Sequence, residues 1–142
     1  MYTPRLDMSR SLLAVITGFL LIATLSVGTD MVLRMAVPSL FEVDGSTTSA
    51  PILLLTIAYV GLYATLGCYL AARMAPSAPM RHALVLGVLG LAFNVAGALS
   101  IWAQYPAWYH VMSLLLVMVW AWLGGRMREQ EAPQSSSRTL IV

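Results

Sequence analysis

There is no lysine in this chain, and its single cysteine, Cys68, has no second thiol to meet. A lone thiol excludes an intrachain disulfide and a cysteine-based metal cluster. Cys68 stands in the middle of an apolar run and reads as packing. The basic charge rests on eight arginines set against six acids. These arginines stand at the edges of apolar stretches, not in a cluster, which argues against a nucleic-acid-binding face. Charged residues are also scarce, at 10% of the chain against 59% hydrophobic. That is too little polar surface to cover a soluble core. Neither a Ser, His and acid set, nor a glycine-rich phosphate loop, nor a zinc-helix motif is present. The expectation is a chain that is not an enzyme and holds neither cofactor nor metal. The missing lysine, beside so much Ala, Gly, Arg and Leu, suggests a GC-rich bacterial genome, an argument from codon usage.

Long apolar runs are what the chain does have. Four of them reach the roughly 20 residues a helix needs to cross a hydrocarbon core of about 30 Å. The reading is an all-α integral membrane bundle of four transmembrane helices occupying residues 1–128, with the lipid bilayer as solvent. The spans are placed at 11–29 with a helical extension to 37, at 51–73, at 82–103 and at 107–125. A cleavable signal peptide is the rival account of the first run, since small residues lie at Ser26 and Gly28. The run is longer than the usual signal core of about 7 to 15 residues, so a retained span is expected. Residues 129–142, rich in Gln, Ser and Pro, are expected to be a disordered tail.

The third span carries a stripe of small residues, Ala83, Gly87, Gly90, Asn94 and Gly97, at alternating steps of four and three. The second span has a stripe of its own in Ala58, Gly61, Thr65, Cys68 and Ala72. Matching stripes on consecutive helices predict close antiparallel packing of these two spans against each other. Asn94 is the one strongly polar side chain near the bilayer midplane, and a lipid-facing amide lacks a partner. It is expected to bond at least one of Thr24, Thr65 and Ser113, at about 0.6 kcal/mol for an average polar contact in a membrane. Tyr59 and Tyr63 read as aromatic core, with tips able to hydrogen-bond.

Charge and aromatic residues mark the surfaces. Both termini and the 74–80 connection share one side, which holds every arginine but Arg34. The positive-inside rule makes that side cytoplasmic. Asp30 and Arg34, four residues apart, can pair on one helix face at the opposite interface. Trp102 and Trp108 crowd the tight turn between the third and fourth spans, while Trp120 and Trp122 are assigned to the belt at the other interface. The 38–50 connection, with Glu42 and Asp44, reads as a solvated acidic loop. His82 falls at the inner edge of the third span and His110 one turn inside the outer edge of the fourth, separated by most of the membrane thickness and so too far apart to share a metal within one subunit.

Gly67, Cys68, Tyr69, Arg73 and Pro76, followed by Pro79, Arg81, His82 and Gly87, resemble the corresponding passage of a family of small four-span bacterial membrane proteins. The resemblance covers mainly the second and third spans and implies a fold without an assigned activity. Small multidrug exporters are equally compact but rely on a carboxylate inside the first span, where this chain has none. The glycine and arginine signature of the fluoride channels has no counterpart here. The expected role is that of a structural or accessory protein of the bacterial inner membrane, a helix-packing partner of itself or of a larger membrane protein. A homo-oligomeric channel or transporter for a small solute is the alternative.

Overall fold

The structure, a computed structural model, describes residues 4–131. Four helices fill it: α1 Pro4–Ala36, α2 Ala50–Met74, α3 Pro79–Ser100 and α4 Ala107–Glu131. Each is long and apolar enough to cross a membrane. Their order is up-down-up-down. Gly18 of α1 meets Gly67 of α2 and Thr29 meets Tyr63, so these two run antiparallel. Gly87 and Gly125 pair α3 antiparallel with α4 through Ala121 and Ala83, whereas Gly61 and Gly124 lay α2 parallel to α4. One end of the bundle, here the terminal end, holds the start of α1, the α2–α3 connection and the close of α4. The other, the hairpin end, holds the connections at 37–49 and 101–106.

Local chemistry explains most boundaries. Pro51 and Pro79 occupy the first turns of α2 and α3, where a missing N–H costs nothing. Helix α3 therefore starts three residues before the expected position. It also stops earlier, at Ser100, after which Trp102–Gln104 form a 3₁₀ turn. The 33 residues of α1 rise about 50 Å, well beyond a hydrocarbon core of about 30 Å, and carry Asp30 and Arg34 out at the hairpin end. Helix α4 continues to Glu131, whose carboxylate accepts a 2.7 Å hydrogen bond from Tyr69 Oη. Arg73 Nη1 in turn donates to Tyr69 at 3.3 Å. Residues 129–131, expected to open a disordered tail, are thus helical, and the rest of that expectation, 132–142, lies outside the described residues.

The core sits toward the terminal end, where Cys68, Ala71, Ala72, Ala83, Leu86 and Ala121 are buried together beneath Val15, Phe19 and Ile22. It is built from small residues. A methyl added at Gly124 would meet the Thr65 carbonyl and, at 2.8 Å each, the Cys68 Cβ and the Tyr69 amide. One added at Gly125 would meet Met80 Sδ at 2.6 Å, and one at Gly87 would strike Ala121. Backbones this close exchange many dispersion contacts, the main cohesive force between helices in lipid.

The two stripes do not face each other as expected. Helix α4, a span with no small stripe assigned from sequence, receives both. Gly61 of α2 lies under the Trp120 ring and Gly124 seats against Thr65 and Cys68, while Ala83 and Gly87 of α3 meet Gly125 and Ala121. Helices α2 and α3 touch closely only at the terminal end, and Ala58 is exposed. Trp120 likewise departs from its expected place at the interface. Because α4 runs on to Glu131, this residue sits mid-helix and packs over Gly61. Trp102, Trp108 and Trp122 are exposed, and Arg126 lies 5.4 Å over the Trp122 ring.

Candidate functional site

Polar side chains gather at the hairpin end, where the helices part. Gly90 has its nearest cross-helix neighbour, Val117 Cγ1, at 3.7 Å from an added methyl, and Gly97 has nothing within 4 Å. The α3 stripe therefore packs in its first half and lifts away in its second. The space left between α2, α3 and α4 is a recess of about 200 Å³. Asn94 and Ser113 line it with Thr56 and His110, among apolar walls that include Val60, Val117 and Trp120. An apolar cavity of about 150 Å³ takes a benzene-sized guest, so this recess has room for a small ring or a cluster of waters.

Asn94 is half-buried and has no side-chain hydrogen bond to the protein among the described residues. The expected bond to Thr24, Thr65 or Ser113 is not formed, and each case has a physical reason. Thr24 is exposed on α1. Thr65 turns back to the Gly61 carbonyl at 2.9 Å, the i to i−4 bond that a helical threonine makes on its own helix. Ser113 shares the recess with Asn94 but stands across the gap. His110 is the most deeply buried polar residue here, at 3% exposure. Its ring stacks on Trp102 with centroids 4.7 Å apart and takes the edges of Tyr105 and Tyr109 at 6.1 and 5.9 Å. Its Nε2 is buried without a hydrogen-bond partner.

A second, smaller cavity of about 70 Å³ adjoins the recess, with Thr56 and Tyr109 lining both. Asp30 and Arg34 enter it from α1 and Tyr59 from α2, beneath Phe41, Gly45 and Thr47 of the long connection. The expected pairing of Asp30 with Arg34 is not made. Instead the Tyr59 hydroxyl donates to the Asp30 carboxylate, and Arg34 rises over the Phe41 ring at 5.9 Å and across Gly45. One turn away, Tyr63 Oη and Thr29 Oγ1 are 2.9 Å apart. Tyr59 and Tyr63 thus tie α2 to α1 through side-chain hydrogen bonds.

The connection above keeps its acids Glu42 and Asp44 exposed, as a solvated acidic loop would, and is hydrogen-bonded within itself. Asp44 Oδ1 accepts from the Ser46 amide at 2.9 Å and from its hydroxyl at 2.7 Å, which holds the Asp44 carboxyl below its ordinary pKa. Gly45 supplies the left-handed turn at φ +80. Thr47 is buried and donates to the Leu40 carbonyl at 2.6 Å. Burial under this cover raises the Tyr105 phenol above its usual range.

Among the described residues no three His, Cys, Asp or Glu side chains converge to hold a metal. His82 and His110 lie at opposite ends of the bundle, on α3 and α4. No family model, curated protein or solved structure matches the chain. The arrangement can bind and it can position. It offers hydroxyl, amide and imidazole groups to a guest among the four apolar helices. Sequence reading missed the Asp30–Tyr59 and Thr29–Tyr63 ties. Their signal was two tyrosines four residues apart in the middle of one helix, opposite two consecutive polar residues in the last third of its antiparallel neighbour.

Proposed function

We propose that this protein is a structural or accessory component of a bacterial inner membrane, with both termini cytoplasmic, acting through noncovalent association within the bilayer. The observation that carries the reading is the contrast in α3. Its first half is sealed against α4 by Gly87 and Ala121, and its second half is parted from it around Asn94. A recess that ends blindly against a core of small residues offers no path through one subunit. It does offer an amide without a protein partner, and an unpaired polar group in a membrane favours association with another polar group. The arginine distribution supports the orientation, since the terminal end carries Arg10, Arg73, Arg81, Arg126 and Arg128 and the hairpin end Arg34 alone.

The test is reconstitution beside crosslinking. The purified chain in liposomes is expected to pass no small solute, while a photoreactive residue at position 94 joins it in native membranes to a discrete species, a second copy or a larger membrane protein. The same recess favours one second reading, a homo-oligomeric channel or transporter, because assembly would complete a path that one subunit lacks. Solute flux that vanishes in Asn94→Leu decides for that reading.

A further inference from the structure

An opening larger than the recess lies away from it, at the terminal end between α1 and α3. It is a groove of about 520 Å³. Helices α1 and α3 are the least intimately packed neighbours in the bundle, held by Leu86 against Gly18 and by the Phe19 and Phe93 rings at 5.4 Å. Toward the terminal end no described residue closes the gap. Its walls are Leu12 and Val15 of α1 and Val85 and Leu89 of α3, and Leu12, Val85 and Leu89 are exposed. Its mouth carries Arg81 and His82. His82 Nδ1 lies 3.2 Å from the Ala78 carbonyl, which orients the ring. Arg81 is exposed and makes no ion pair among the described residues.

We propose that this groove binds one anionic glycerophospholipid, its phosphate at Arg81 and one acyl chain along Leu12, Val15, Val85 and Leu89. The inference rests on the terminal end lying at a membrane surface. Two features select the occupant. An uncompensated guanidinium at the mouth calls for an anion, and a phosphate suits its geometry. The apolar track then runs from Arg81 to Leu89, about 12 Å of helix, with the Phe19–Phe93 pair one turn beyond. That is most of the depth one leaflet's chain occupies, half of a hydrocarbon core of about 30 Å. A free anion would use the mouth and leave the track empty; a neutral lipid would use the track and leave Arg81 unanswered.

The experiment is native mass spectrometry of the full chain in mild detergent, titrated with phosphatidylglycerol and with phosphatidylcholine of identical chains. One phosphatidylglycerol is expected to be retained in preference to phosphatidylcholine. Arg81→Gln is expected to weaken that retention roughly fivefold, the worth of one arginine near an anionic surface. Val85→Trp, which fills the track from an exposed position, is expected to weaken retention of both lipids. Arg126→Gln, an exposed arginine at the same end but outside the groove, is the control and is expected to change nothing. The proposal is overturned if the two lipids are retained equally, if Arg126→Gln acts as strongly as Arg81→Gln, if Val85→Trp has no effect, or if glycerol phosphate displaces the lipid at equal concentration. Failure of the membrane reading is distinct: the chain would then remain monodisperse in water without detergent.

Discussion

At the terminal end a methyl on Gly124 would collide with the Thr65 carbonyl, whereas at the hairpin end a methyl on Gly97 would meet nothing within 4 Å. The same residue type on the same class of helix thus does opposite things in the two halves. Near the terminal end glycines bring backbones together, and cohesion comes from dispersion between main chains. Near the hairpin end the helices separate, and cohesion passes to side chains that reach across: Tyr59 to Asp30, Tyr63 to Thr29, Trp102 on His110. The closed half fixes the register of the bundle. The open half holds the Asn94 amide and the buried His110 Nε2 without protein partners, while in the closed half it is a guanidinium nitrogen, Arg128 Nε, that is buried without one.

The sharpest way to break this comparison is a pair of methyl additions. Gly124→Ala must push backbone against backbone and is expected to cost about 1–3 kcal/mol, the usual range for overpacking. Gly97→Ala is expected to be neutral or to stabilise by up to about 1 kcal/mol, the helix-propensity difference between the two residues. Unfolding in mixed micelles, followed by circular dichroism, compares them directly. Equal losses at both positions would erase the distinction between the halves. Next in size is Gly45→Ala. At φ +80 an alanine pays about 1–2 kcal/mol for the left-handed backbone, and its methyl also meets the Arg34 guanidinium. The readout is protease nicking of the 37–49 connection, expected to rise in the variant; unchanged resistance means that the cover over the small cavity does not depend on this turn.

The tyrosine ties sharpen the picture further. Tyr63→Phe removes one hydrogen bond and is expected to cost about 0.6 kcal/mol, the average for a polar contact between helices in a bilayer. Tyr59→Phe is expected to cost more, about 1 kcal/mol, because it leaves the Asp30 carboxylate without its donor. A double variant that loses only as much as either single change would show that the two ties act as one unit.

The number and type of the helices were legible because an uninterrupted apolar run of bilayer length has few other uses. Which faces meet was not legible. A small stripe on α2 or α3 states that something comes close and leaves the neighbour open, and both stripes turn out to close on α4. The decisive signal, Gly124 beside Gly125, stood in plain sight but lay at the assumed end of its span. The same boundary error carried Trp120 to an interface. Once α4 extends to Glu131, secured by Tyr69, this tryptophan falls to mid-helix and its place over Gly61 follows. Of the site, Asn94 and Ser113 were found as neighbours in depth, but their separation was not, because it depends on how far α3 and α4 diverge, and no local pattern encodes divergence.

Asn94 is therefore the position where the smallest effect carries the most information. An amide bonded to a neighbouring helix would lose stability on conversion to Leu, while an amide facing a recess without a protein partner has no such bond to lose. Asn94→Leu is expected to stay within about 0.5 kcal/mol of the parent in micelle unfolding, the range of substitutions that break no contact. Its consequence should appear instead in association, as lost crosslinking from a reporter at the adjacent Gly97 in native membranes. A large loss of stability with unchanged crosslinking would return Asn94 to the role of internal glue and would mean that α3 and α4 do not part at the hairpin end.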